Sequence, residues 1–149
     1  MEAIKLLKQD HDEVKKIMEK LDSTTERGVK TREELFTKLK NEMEVHEIIE
    51  EEIFYPALKE HPKAKEIVLE GYEEHHVVDT IMGEISAVPY DDETWGAKFS
   101  VMKENIEHHI EEEEGEMFPK AREIFSADDL EDMGERMAAR REEAQAALP

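Results

Sequence analysis

Apolar residues recur at steps of three and four through four long stretches of this chain, and each stripe they trace carries a histidine. Ile4, Leu7, His11, Val14, Met18 and Leu21 form the first stripe, and Phe36, Leu39, Met43, His46, Glu50 and Ile53 the second. Val68, Tyr72, His75, Val78, Met82 and Ile85 form the third, and Trp95, Phe99, Met102, Ile106, His109 and Glu113 the fourth. That spacing marks one face of an α-helix, and no segment sustains the two-residue alternation of a strand. Four long helices with short connections pack as an up-down-up-down four-helix bundle, so the expected class is all-α.

Local signals set the expected boundaries. The first helix runs from about Glu2 to Asp22, and Ser23 to Gly28 reads as a turn. Thr31 with Glu34 has the pattern of a capping box opening the second helix. Pro56 lacks an N–H, so that helix should kink or end there, and Pro119 should act alike on the fourth. Pro62 suits the first turn of the third helix. Val88 to Asp92 reads as a loop. Ser126 and Asp129 form a second capping-box pattern, opening a fifth, more polar helix that packs across one end or side of the bundle. The 149 residues suit a single domain, 1–149, with the bundle at about 2–122 and the additional C-terminal helix at about 126–146.

The two halves of the chain echo each other. Met43 to Pro56 reads M-E-V-H-E-I-I-E-E-E-I-F-Y-P, and Ile106 to Pro119 reads I-E-H-H-I-E-E-E-E-G-E-M-F-P. Aligned on their prolines, His46 falls on His109 and Glu50 on Glu113. Upstream, Val14, Ile17, Met18 and Leu21 follow His11 at the offsets at which Val78, Ile81, Met82 and Ile85 follow His75. In a chain this rich in glutamate a His-x-x-x-Glu pair alone means little, since a surface ion pair contributes only ~0.3 kcal/mol. Register carries the weight. Ionisable groups on buried stripes are costly without partners, and a metal dication satisfies neutral imidazole and ionised carboxylate together. His11, His46, Glu50, His75, His109 and Glu113 therefore suit a two-metal site inside the bundle.

Adjacent histidines are separated by the same logic. His109 continues an apolar stripe, whereas His108 shares its face with Val101, Asn105 and Gly115. His75 matches His11 in its apolar register, which turns His76 aside; Glu74 and Asp10 precede the matched pair. His61, before a proline at a helix boundary, reads as a surface residue. Beyond Glu113, the run Glu111 to Glu114 reads as solvated. Tyr55 falls about half a turn off its stripe and reads as a packing aromatic.

Composition narrows the function. A net charge of −20 argues against nucleic acid and against an anionic membrane surface. No apolar run approaches ~18 residues, so no membrane span is expected. Met-Glu-Ala-Ile-Lys does not open a signal peptide. Cysteine is absent, which removes thiolate ligands and nucleophiles and fits a cytoplasmic location. Imidazole with carboxylate suits iron, manganese or zinc better than calcium or magnesium. Two shared carboxylates and two imidazoles per ion leave open positions, which on a redox-capable pair means O2, peroxide or nitric oxide. Protons compete for the ring nitrogens, so metal loss is expected around or somewhat below the ~6.5 reference pKa of histidine.

Ferritin-like di-iron proteins use Glu-x-x-His pairs, the reverse order and a shorter step. His11, His46-x-x-x-Glu50, His75 and His109-x-x-x-Glu113, with Phe-Tyr-Pro and Met-Phe-Pro after the pairs, instead resemble the hemerythrin-like, or HHE cation-binding, family over about residues 4 to 120. The resemblance implies a four-helix bundle with two non-haem iron ions, oxo- or hydroxo-bridged, held by those six residues with both glutamates bridging. It implies a small-molecule ligand (O2, NO or H2O2), in oxidative or nitrosative stress or in iron or oxygen sensing, with a peroxide- or NO-consuming di-iron oxidoreductase as the enzymatic form. The alternatives are a non-enzymatic iron or oxygen binding or storage protein and a metal-free helical interaction module. One position departs from the family: oxygen-carrying hemerythrins place a fifth histidine one turn after the third-helix ligand, where this chain has Asp79. That puts simple oxygen carriage in doubt and leaves Asp79, Glu74, Glu47 and Tyr55 near enough in sequence to fill a coordination position.

Overall fold

A computed structural model describes all residues from Met1 to Pro149 and is helical throughout, with no strand. The first bundle helix, α1, spans Ala3–Asp22. The second is α2 (Val29–Ile49), which passes through a π-helical turn, π1 (Glu50–Phe54), into α3 (Tyr55–Lys59). The third is α4 (Lys65–Ser86). The fourth is α5 (Trp95–Glu112), continued by π2 (Glu113–Met117) and α6 (Phe118–Ile124). The C-terminal helix α7 (Ala127–Ala147) lies along α1 and α2. The fold is thus a four-helix bundle with an additional helix against one side. No helix is long and apolar enough to cross a membrane.

Two boundaries differ from expectation, and each has a local cause. The capping box at Thr31 and Glu34 does not form. α2 begins three residues earlier, after Gly28, without a side-chain cap. Arg32 anchors that extra turn: its Nη1 donates to the Tyr90 carbonyl at 2.7 Å, its Nε to Thr24 Oγ1 at 3.0 Å, and its guanidinium lies 4.5 Å over Trp95. Pro62 precedes α4 instead of sitting in its first turn, because His61 to Ala64 form a separate turn closed by Ala64 N–H to the His61 carbonyl at 2.9 Å. Pro56 and Pro119, where a kink or an end is expected, coincide with an interruption of the α-helix while the helical path continues. The widened π turns absorb them, because Tyr55 N–H reaches back five residues to the Glu50 carbonyl and Phe118 N–H likewise to Glu113. The Glu51 carbonyl, which an α-turn would pair with Tyr55, faces the Tyr72 hydroxyl at 3.4 Å. Ser126 and Asp129 do form their reciprocal cap.

Two apolar slabs fill the bundle. One gathers Ile4, Leu7, Ile49, Phe54, Leu58, Val68 and Phe118 with Leu130, Met133 and Met137 of α7. The other gathers Val14, Met18, Phe36, Leu39, Val78, Trp95, Phe99 and Ile106. Between them, one ionisable layer crosses all four helices.

Candidate metal centre

That layer is made by His11 on α1, His46 on α2, His75 on α4 and His109 on α5, with Glu50 and Glu113 at the first residues of the two π turns. All four histidines are buried, and both glutamates are 0 % exposed. The structure therefore brings the six residues singled out by register into one place. His76 and His61 are exposed, and the His108 side chain is 63 % exposed.

The ring nitrogens converge. His11 Nε2 lies 2.9 Å from Glu113 Oε1, His46 Nε2 3.2 Å from Glu50 Oε1, His75 Nε2 3.0 Å from Glu50 Oε1, and His109 Nε2 3.3 Å from Glu113 Oε2. Two donor sets result: His11, His46, Glu50 and Glu113; and His75, His109, Glu50 and Glu113. The two glutamates belong to both sets, the arrangement needed for two cations that share carboxylates.

The outer nitrogens are fixed just as systematically. His11 Nδ1 donates to Glu114 at 2.7 Å, His46 Nδ1 to Asp10 at 2.9 Å, His75 Nδ1 to Glu51 at 2.8 Å and His109 Nδ1 to Glu74 at 2.7 Å. In each half, the acid before the lone histidine holds the His-x-x-x-Glu histidine. The acid after each ligand glutamate holds the lone histidine of the other half. A carboxylate on Nδ1 sets the tautomer and leaves Nε2 as a free lone pair aimed inward, as metal-binding imidazoles require. Without a cation the inner nitrogens crowd one another: His75 Nε2 and His109 Nε2 are 3.2 Å apart, and His46 Nε2 and Glu50 Oε2 are buried with no hydrogen-bond partner. Orphaned atoms of this kind cost about 1–3 kcal/mol each, so the donor set fits cations at its centre.

Electrostatics in the metal-free fold follow from this crowding. Burial lowers each histidine pKa, but the carboxylates outweigh it. Hydrogen bonds to Glu50 and Glu51 lift His75 to about 9. His46 and His109 rise well above the ordinary value through the charges of Glu50 and Glu113, and His11 rises through its bonds to Glu113 and Glu114. Burial and the neighbouring Glu113 push Glu50 up, yet the imidazoles, His46 first, hold it down to about 2. Glu113 is held well below its ordinary range against its burial, chiefly by His109.

Tyr55 is the residue that helical periodicity misplaces. Its hydroxyl donates to Glu113 Oε2 at 2.5 Å and lies 3.4 Å from both His75 Nε2 and His109 Nε2. An unbroken α-helix would turn Tyr55 away from Glu50. The π turn stacks residue i+5 beneath residue i and brings the phenol onto the site face. Gly71 on α4 makes the room, since a Cβ there would sit 2.9 Å from the Tyr55 hydroxyl. Phe118 occupies the matching place after π2 and stacks on His11 at 5.7 Å, as Tyr55 stacks on His75 at 5.3 Å. A signal for this was present: each proline stands six residues beyond its glutamate, where an intact α-turn would be strained. Glu114, read as solvated, is instead the acceptor for His11. Asp79 is exposed and outside both donor sets, and Glu74 is an outer partner of His109.

Comparison with known proteins agrees with this geometry. The pattern of the family described as Hemerythrin HHE cation binding domain matches residues 2–121. The chain is 30% identical over 147 residues to the protein Rv2633c of Mycobacterium tuberculosis and, equally, to Mb2666c of Mycobacterium bovis, covering 96% of this chain and 87% of each relative. The crystal structure of a Hemerythrin HHE cation binding domain-containing protein from Mycobacterium kansasii, a homolog of Rv2633c, superposes with a TM-score of 0.87 at 28% identity. That match covers 99% of this chain and 89% of the other. By its matched residues, its fold and its buried His and Glu layer, the chain belongs to the hemerythrin HHE cation-binding domain family.

Proposed function

We propose that the chain holds two iron ions, one on His11 and His46 and one on His75 and His109, with Glu50 and Glu113 shared, and that it consumes peroxide or nitric oxide. The observation that carries this reading is the Tyr55 phenol, set against Glu113 and both Nε2 atoms of the second donor set. Iron bound there supplies one-electron chemistry toward O2, peroxide or nitric oxide. The chain's part is to choose the oxidation state. Burial, then the charges of Glu113 and Glu50, raises the Tyr55 pKa well above its ordinary value, so the phenol keeps its proton until a cation displaces it. A phenolate adds negative charge to one donor set alone and favours ferric over ferrous iron. Asp79 does not have that role, because it lies outside the donor set. A site biased toward the ferric state releases O2 poorly, which favours turnover over carriage. The outer carboxylates hold the four rings, and the apolar slabs keep water from the layer. We assign the whole chain, bundle and α7, to one working unit in the cytoplasm.

The test is to load the protein with ferrous iron under argon, measure iron by elemental analysis, and add O2, peroxide or nitric oxide. Two ions per chain, a visible phenolate-to-ferric band that Tyr55→Phe abolishes, and consumption of peroxide or nitric oxide are expected. Fully reversible oxygenation over many cycles with neither turnover would make the protein a carrier. Less than one ion per chain after reconstitution would remove the dinuclear reading.

A further inference from the structure

The dinuclear layer is closed on two sides by apolar slabs, and Glu50 and Glu113 have no exposed surface. Cations must nevertheless reach it. A cavity of about 500 Å3 opens between α2 and α4, lined by Glu44, Glu47, Glu51, Glu52 and Asp79, with Lys40 as its one cationic side chain. Glu47 sets this cavity apart from a solvated acidic surface. It is 8 % exposed, and its Oε1 has no hydrogen-bond partner. Glu47 Oε1 lies 3.8 Å from His75 Nδ1, and Glu51 Oε2 lies 2.8 Å from the same nitrogen. The opposite nitrogen of that ring, Nε2, faces Glu50 at 3.0 Å. A single imidazole therefore separates the cavity carboxylates from the dinuclear donor set.

The internal repeat supplies an independent comparison. Aligned on His46 and His109, the position of Glu47 is Ile110 in the second half. Aligned on His75 and His11, the position of Asp79 is Lys15. The face between α1 and α5 thus carries an apolar and a cationic residue where this face carries two acids, although the inner ligands match throughout. The polar cleft beside α7, lined by Asp10, Asp12, Glu13 and Glu42 with Lys16 and Arg141, has no buried carboxylate without a partner, since Asp10 is committed to His46 and Arg141. The acidic groove between α4 and α5 has no buried orphan: Glu74 is committed to His109 and the His108 side chain is 63 % exposed. A buried carboxyl group with an unused oxygen is costly unless a proton or a cation meets it.

We propose that Glu47, Glu51 and Asp79 form a transient binding site for a divalent metal cation, ferrous iron foremost, through which ions pass to the dinuclear site. The inference rests on the dinuclear reading above. Oxygen ligands at low number bind a hard divalent ion weakly and release it readily, as a transit site requires. A charged cleft with apolar walls also raises the local concentration of cations and their rate of arrival.

The experiment follows metal uptake by the metal-free full chain. Anaerobic ferrous ammonium sulfate, and separately Co2+ as an optical probe, is mixed by stopped flow with wild type, Glu47→Gln, Asp79→Asn and the double variant. Loading should slow by about ten-fold or more in the double variant, with the final content unchanged at two ions per chain. Glu70→Gln with Glu73→Gln, on the α4/α5 groove, replaces the same number of acids and should load at the wild-type rate. In protein first filled with Zn2+, a weaker additional Mn2+ should be detected by electron paramagnetic resonance in wild type and lost in the variants. Asp79 is exposed, so its variant will fold; thermal melts check the others. Equal loading rates in all proteins, equal slowing by the groove control, or no additional Mn2+ in wild type would overturn the transit site. Wild type that never reaches two ions would instead remove the dinuclear reading on which it rests.

Discussion

Metal binding and the stability of the metal-free fold should respond to pH in opposite directions, and His75 sets the window. Its pKa is lifted from 6.5 to about 9 in the metal-free fold, with burial opposing and the bonds to Glu50 and Glu51 prevailing. A group raised on folding gives stability that is complete below its unfolded value and disappears as pH climbs through its folded value. The window is therefore about 6.5 to 9. A difference of about 2.5 units corresponds to about 3 kcal/mol at 1.36 kcal/mol per unit. Glu47, pushed by burial to about 9, acts with the same sign over this window, because it too holds its proton only when folded. On the acid side Glu50, held at about 2, contributes stability present above 4.5 and lost as pH falls toward 2. A bound cation must expel the imidazole protons, so its affinity should rise across the window in which the metal-free fold weakens. Competition thus begins near pH 9, above the ~6.5 that an isolated histidine suggests. Thermal melts of metal-free and Zn2+-loaded protein from pH 5 to 9.5, with calorimetric titrations in buffers of different ionisation enthalpy, measure both trends. A metal-induced rise in Tm that stays constant from pH 6 to 9, or grows toward acid, would refute the reasoning.

Replacing His109 with Ala should cost at least one of the two ions by elemental analysis, whereas His108→Ala should keep both, because only the first ring lies in the buried layer. Arg141→Ala removes the α7 partner of Asp10, which holds His46 Nδ1 at 2.9 Å. The ion on His11 and His46 should then bind about ten-fold more weakly, read as a split in a stepwise Co2+ titration. Gly71→Ala drives a methyl to 2.9 Å from the Tyr55 hydroxyl. It should destabilise the fold by about 1 kcal/mol, the overpacking cost less the helix preference of Ala, and weaken the phenolate band as Tyr55→Phe does.

The helical stripes were legible because burial in a bundle imposes a step of three to four, and that step separates His109 from His108 without any coordinates. What periodicity conceals is any departure from its own period. The π turns at Glu50 and Glu113 each add a residue to one turn. They move Tyr55 and Phe118 onto the site face and let Pro56 and Pro119 lie inside continuous helical paths. The outer carboxylates were only half legible. Asp10 and Glu74 precede the lone histidines in a visible pattern, but which ring each holds depends on helix neighbours. Glu114 looked like one more acid in a charged run because nothing local marks its contact with His11 across the bundle. The capping box expected at Thr31 does not form for a similar reason: Arg32 is held by Thr24, Tyr90 and Trp95, contacts too distant in sequence for a cap motif to register.

The two halves agree where cations would be held and diverge around one of the two positions. Tyr55 faces Gly71, whereas in the other half Phe118 shares its apolar cluster with Leu7, which stands at the place corresponding to Gly71. The exchange is complementary. The half with the larger, hydroxylated ring lacks a Cβ opposite it, and the half without the hydroxyl fills the space with leucine. Glu47 and Asp79 against Ile110 and Lys15 fall on the same side, all four of the acid, phenol and glycine features lying about His75. A drift of the repeat without purpose would scatter such differences over both halves. Their concentration on one donor set separates a symmetric scaffold, with two matching donor sets, from a specialised position. There the phenol and the acids beside His75 surround one donor set, and on the proposed reading the phenol would bias the oxidation state of an ion held in it.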